Sequence, residues 1–282
     1  MTEEEQKQQE RFLLLLLALA AVTEDQINAA TRPALTTAMR KLRRQIQQMA
    51  PDGPFRAYEW KQIAPKTLPV LEQLTQVQLA AMLPQIQTLL PEVQDAANDY
   101  VAPDQYQPTP ITPATQSELF NVLAIAGAGT LIDLFGNRGN INRYTLQMGN
   151  DLDKMVKSMI MRGASTQEIS DKVLKVITKN GRPVAKIDTG SFANRMWNRT
   201  KNTTSAAVWD AVNKTLGETW KNVPARAWVW NARLDPLTCP VCRPLHNKVV
   251  AKPASFVSTQ LSNTYPPIHP NCRCVIIPLL LK

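Results

Sequence analysis

All four cysteines and both histidines of this 282-residue chain fall between positions 239 and 274. They form two tight clusters, Cys239-Pro-Val-Cys242 and His269-Pro-Asn-Cys272-Arg-Cys274, with His246 between them. A Cys-x2-Cys pair followed by a His-x2-Cys pair supplies four soft or borderline donors at the spacing of a tetrahedral zinc site. Each two-residue gap lets a tight turn aim two side chains at one point. The expected ligands are Cys239, Cys242, His269 and Cys272. Cys274 is an alternative ligand, because positions 272 and 274 of an extended chain point to the same face, and His246 is a weaker candidate. The zinc reads as structural: the donors present can close the coordination shell, and no Asp or Glu lies inside the clusters to serve as a general base. Packing by reduced cysteines and stapling by two disulfides are the competing readings. The second needs an oxidising compartment, and a cytosolic thiol stays reduced.

The flanking sequence suits a compact knuckle. Arg226 to Arg233 reads as an aromatic-rich strand bounded by Pro224 and the Asp235-Pro236 turn signal. Lys248 to Ala251 and Cys274 to Ile277 read as two further short strands, and three prolines in Tyr265 to Pro270 stiffen the approach to His269.

These residues carry a resemblance. Trp230, Asp235, Cys239-x2-Cys242, Leu245, Phe256, the run Pro267-Ile-His-Pro-Asn-Cys-Arg-Cys274 and Pro278 resemble the terminal signature of the phage head-morphogenesis family, the Mu F-like minor head proteins of tailed bacteriophages. Gly163-Ala-Ser165, Glu168-Ile169 and Arg199-Thr200 extend it upstream more weakly, with Lys201 where family members usually carry an acidic residue. The resemblance covers about 150 to 278. It implies a structural component of the virion: a minor capsid protein at the head interior or portal vertex, present in several copies, passing through the host cytoplasm during assembly. Its implied partners are portal and capsid proteins, and its implied work is head assembly, DNA packaging or DNA delivery.

Upstream of the knuckle, the chain reads as mainly α and elongated, ending in a small α+β zinc-knuckle-like module. The expected division is an N-terminal helical region 1–102, a Pro-rich connector 103–118, a helical region 119–224 that is basic from 150 on, and the Cys/His module 225–282. Phe12 to Val22 is apolar without interruption, shorter than the ~20 residues of a bilayer span, and the preceding Thr2-Glu-Glu-Glu5 is acidic where a signal peptide is basic. Neither a membrane span nor a secretory signal is therefore expected. Thr2 with Glu5 reads as a capping box, and an all-round apolar helix calls for burial, in its own fold or against a partner. A second box, Thr23 with Gln26, opens a new helix that Pro33 interrupts or restarts. Arg40-Lys-Leu-Arg-Arg44 is a short basic helical run, most simply a solvated face. Pro51, Pro54, Pro65, Pro69, Pro84 and Pro91 bracket short helices.

Gly127-Ala-Gly129 lacks the Gly-Lys-Ser/Thr ending of a phosphate loop. From Leu152 to Ile160 an amphipathic helix runs to Gly163, and Ser165 with Glu168 caps the next, which is expected to bury Ile169, Val173, Val176 and Ile177 and to end at Asn180-Gly-Arg-Pro183. Ser191 to Leu216 is a longer helix with a small or polar stripe at Thr200, Thr204, Ala207 and Ala211.

Net charge is +9, but residues 151–282 carry 20 cations against 8 anions. A basic 150–282 half suits an acidic partner, DNA included. An independent nucleic-acid-binding zinc protein is thus the alternative function, although no recognition helix follows the ligands. A zinc-stabilised nuclease using His246-Asn247 and His269 is the least favoured, because one of two histidines is already assigned to zinc. No catalytic residue is expected, and the chain reads as a non-enzyme.

Overall fold

The computed structural model describes residues 2–51, 53–101, 141–179, 182–236, 238–253, 256, 266 and 272–280. Among these the protein is mainly helical with a small C-terminal sheet: α1 (Glu3–Met49), α2 (Ala57–Val101), α3 (Ile141–Met161), α4 (Thr166–Val173), β1 (Val176–Lys179), β2 (Arg182–Ile187), α5 (Phe192–Thr219), β3 (Ala225–Ala232), a 3-10 turn (Arg243–Leu245), β4 (Val249–Val250) and β5 (Cys274–Leu280). The expected connector 103–118, the Gly127/Gly129 stretch and His269 lie outside the described residues.

The two capping boxes at helix starts form as read. Thr2 N donates to Glu5 Oε2 at 2.8 Å while Glu5 N donates back to Thr2 Oγ1 at 3.2 Å. Ser165 and Glu168 repeat the arrangement at the start of α4. Gly163 ends α3 with φ +72°, and Ala164 N donates to Met159 O at 3.1 Å, a left-handed helix stop that favours glycine.

Three expectations give way. Thr23 opens no helix: its hydroxyl donates to Leu19 O at 3.0 Å within an uninterrupted α1, and Pro33 sits inside that helix. The prolines at 65, 69, 84 and 91 likewise fall within one continuous α2. A proline costs a helix one hydrogen bond and a steric clash; here buried faces such as Leu71, Leu74, Met82, Leu89 and Val93 offset that locally unfavourable choice. Finally, Val176 and Ile177 leave the helix. They belong to β1, which pairs antiparallel with β2, Lys179 opposite Arg182. The β-branched Val-Ile-Thr run followed by Asn180-Gly181 is a hairpin signal, and it ends α4 at Val173.

The chain packs as two compact units, each assembled from separated segments. Unit 2 comprises Ile27–Ala81 and Asn137–Lys201. Polar contacts, buried or partly so, tie α2 to α3 and to α5: Trp60 Nε1 donates to Asp153 at 2.8 Å, the Thr75 and Thr145 hydroxyls lie 3.2 Å apart, and Gln78 Nε2 donates to Thr200 O at 3.1 Å. Arg43 pairs with Asp171 at 3.0 Å and Arg199 with Asp151 at 2.8 Å.

Unit 1 comprises Met1–Gln26, Met82–Gly136 and Asn202–Lys282. By length and composition α1 could cross a membrane. In the folded chain Phe12, Leu13, Leu16, Leu17 and Ala20 are buried, whereas Leu14, Leu15 and Val22 are exposed. The buried face meets an aromatic trio, with ring centroids 4.8 Å apart for Phe12–Tyr100, 5.5 Å for Phe12–Trp220 and 5.8 Å for Tyr100–Trp220. Trp220 Nε1 donates to Ala97 O at 3.2 Å. The stripe read on α5 is buried throughout, at Thr200, Thr204, Ala207 and Ala211. The sheet has the order β4-β3-β5, all antiparallel. Pro278, opposite Trp228, is tolerated because β5 is an edge strand.

Candidate metal centre

Strand register builds the site. Ala232, the last residue of β3, pairs with Cys274, the first of β5. This pairing fixes Cys274, and Cys272 two residues earlier is buried with it. From the other side, Cys239-Pro-Val-Cys242 makes a tight turn: Cys242 N donates to Cys239 Sγ at 3.2 Å and Arg243 N to Cys239 O at 3.1 Å. Cys242 then caps the short 3-10 turn. The Sγ atoms of Cys242, Cys272 and Cys274 all lie within 4.8 Å of one another, and all three residues are buried. Cys239 is half-buried and packs against the same cluster, with Trp230, Ala232, Leu245, Phe256 and Ile276.

Of the expected ligands, the structure therefore brings Cys242 and Cys272 together with the alternative Cys274, and sets Cys239 beside them. His269 lies outside the described residues. His246 has another occupation: its Nδ1 accepts from Ala232 N at 3.2 Å, holding the end of β3. Burial keeps this imidazole below its ordinary range, in the neutral form that such an acceptor needs. Asn247 follows at φ +61°, a left-handed position that Asn tolerates, and its N donates to Trp230 O at 2.8 Å. Thus His246-Asn247 is occupied in closing the β3–β4 connection.

The donor set fits a tetrahedral soft-metal site. A zinc–thiolate bond of ~2.3 Å implies sulfurs about 3.8 Å apart, and Cys242 Sγ and Cys272 Sγ are 3.8 Å apart. The same crowding disfavours ionised sulfur when no cation is there. Hydrogen bonds with Cys272 and Cys274, then burial, push the Cys242 thiol far above its ordinary range. For Cys274 the bond with Cys242 pulls downward, but the bond with Cys272 and burial outweigh it, and this thiol is raised too. No disulfide joins the four cysteines. Nearby, Asp235 holds the surrounding loops: it pairs with Arg273 at 2.9 Å and Arg233 at 3.0 Å, and its backbone N donates to Thr238 Oγ1 at 2.9 Å. Arg273 stands between two of the clustered cysteines, so this network aims them. Periodicity and donor spacing do not reveal it, although Asp235 figures in the terminal motif.

The molecule so defined is a helical protein whose C-terminal sheet is closed around buried thiols that can hold a metal ion. Residues 150–277 match the family described as phage Mu protein F like protein, the family that the terminal motif resembles. The family supports a role in phage head morphogenesis. No curated protein and no solved structure matches the chain.

Proposed function

We propose that the protein is a structural minor head protein of a tailed phage, associated with the portal or procapsid interior, and that it is not an enzyme. What carries the reading is the Mu F-like match over 150–277, whose end coincides with the buried thiol cluster. A metal centre of this kind suits structure rather than catalysis. The sheet it closes is small, β4 being only two residues long, and small modules commonly need a staple. Zinc held by Cys242, Cys272 and Cys274, with a fourth donor from Cys239 or His269, would supply that cross-link. Portal and capsid proteins are the proposed partners, several copies the proposed stoichiometry, and DNA contact through the basic residues the proposed further activity.

Two measurements test the reading. Mass spectrometry of purified procapsids and virions should find the chain in both; absence from both overturns the head assignment. Elemental analysis of chelator-washed protein should give about one zinc per chain, lost in Cys242→Ser. Folded, reduced wild type without zinc would make the cysteines packing residues.

A further inference from the structure

Charge is distributed by fold rather than by sequence order. Unit 2 carries 21 Lys and Arg against 8 Asp and Glu, a net of +13, and unit 1 carries 11 against 15, a net of −4. The cysteine module thus belongs to the acidic unit, although by sequence it lies in the basic half. The 40–44 run of α1, although N-terminal, belongs to the basic one.

Within unit 2, α1 contributes five of the 21 cations and no carboxylate. No acidic residue occurs between Asp25 and Asp52. Arg32, Arg40, Lys41 and Arg44 are exposed, and among the described residues no carboxylate pairs with Arg40, Lys41 or Arg44. On α1 itself Arg43 pairs with Asp171, while other acids of the unit are engaged elsewhere: Asp151 with Arg199, Asp153 with Lys157, and Glu168 with its own helix cap. At one end of this face Arg32 and Lys201 both lie over the half-buried Trp197 ring, at 5.8 and 5.9 Å from its centroid.

We propose that this face of unit 2, built on Arg32, Arg40, Lys41, Arg44 and Lys201, binds the phosphate backbone of double-stranded DNA without reading sequence. The inference rests on the head-protein reading for its biological setting and deepens its DNA contact. Three features favour phosphate over an acidic protein surface. Arginine predominates, and its planar fork matches phosphate oxygens. Arg32 to Arg44 spans about 18 Å of helix, about five phosphate steps of one strand. The Trp197 ring is already flanked by cations, so it preorders Arg32 and Lys201 instead of stacking a base.

The test is fluorescence anisotropy with the full zinc-loaded chain and a random-sequence 30-base-pair duplex, titrated at several salt concentrations. R40Q/K41Q/R44Q should bind about 10-fold or more weakly near 0.1 M salt, and its slope of log affinity against log salt should flatten by about 2 to 3. These exposed substitutions should leave helicity by circular dichroism unchanged; the single charge reversal Arg40→Glu serves as the second variant and should also weaken binding. K221Q/K248Q/K252Q, which removes three exposed cations of unit 1, should bind as the parent does. Equal weakening by both triple variants, or parental binding by R40Q/K41Q/R44Q, overturns the assignment. So does parental binding to polyglutamate as tight as to DNA with the same loss in R40Q/K41Q/R44Q, which would identify an acidic protein surface instead. A chain that enters heads and holds zinc but does not bind DNA refutes this inference while leaving the head reading intact.

Discussion

Replacing Cys272 by Ser separates the two accounts of the thiol cluster. Cys272 is buried, with its sulfur 3.8 Å from that of Cys242. If the cysteines only pack, the substitution trades a weakly polar group for a hydroxyl in an apolar surround lined by Trp230, Phe256 and Ile276. That costs about 1–3 kcal/mol, the desolvation of an imperfectly paired polar group, and the cost is the same with or without zinc. If the cluster holds zinc, the wild type gains a further term that depends on free metal: about 2.7 kcal/mol at 100 times the dissociation constant and about 4.1 at 1,000 times. A unit of this size gains roughly 2–4 °C of melting temperature per kcal/mol, so metal should raise the wild-type transition by about 5–15 °C. The variant should lose most of that increment, because removing one of three clustered donors opens the coordination shell. The assay is thermal unfolding followed by tryptophan fluorescence, with Trp209, Trp220 and Trp230 buried in unit 1, in chelator and across a buffered zinc series. Wild-type transitions that coincide in chelator and in zinc, with Cys272→Ser displaced equally in both, would refute the metal account.

Other perturbations have equally definite signs. Gly163→Ala meets no neighbouring atom within 4 Å, so its cost is that of the left-handed backbone alone, about 1–2 kcal/mol, measurable by urea unfolding. Trp220→Ala removes a ring that touches both Phe12 and Tyr100, together with its Nε1 hydrogen bond to Ala97 O; about 3–5 kcal/mol of unit 1 stability should be lost. Glu24 is raised above the ordinary carboxylate range by burial, only partly offset by the Ser205 hydrogen bond and Arg273. Its ionised form therefore costs stability above the folded pKa, and the cost vanishes as pH falls below the unfolded one. Glu24→Gln should accordingly stabilise the chain at pH 7 relative to wild type, an advantage that shrinks on acidification in parallel denaturant titrations.

What was legible in the sequence is what depends on near neighbours. The caps at Thr2 and Ser165, the stop at Gly163 and the aromatic strand read at Arg226 to Arg233 each rest on a few adjacent residues; the caps and the stop stand, and the strand forms one residue earlier, as Ala225–Ala232. The prolines misled because breaker rules describe an isolated helix, whereas α1 and α2 carry long buried faces that outweigh a few lost hydrogen bonds. The hairpin was missed because Val176 and Ile177 continue the 3.6-residue stripe of α4 by chance, and the Asn180-Gly181 signal that competes with it begins only three residues later. The cysteine spacing pointed to a shared site, but the grouping of Cys242 with both Cys272 and Cys274 depends on the β3–β5 register and on the turn made by residues 239–242. Neither is written in spacing alone.

Charge shows the same limit in another form. Counted along the chain, the cations pile up after residue 150, beside the cysteines, and one reads a single basic half that contains the metal site. Counted by packing unit, they separate from it: the segment that follows Lys201 joins an acidic unit, and the second half of α1, without one carboxylate between Asp25 and Asp52, joins the basic one. A long helix such as α1 makes this possible, because its apolar first half and its cationic second half are contributed to different units. Holding a sheet together with buried thiols and presenting cations to a polyanion make opposite demands, the first for an apolar surround and the second for exposed, uncompensated charge. The fold separates these demands by placing the thiols and the cations of α1 in different units, so if the thiols hold zinc, its removal should unsettle unit 1 while leaving the cations of α1 in place on unit 2.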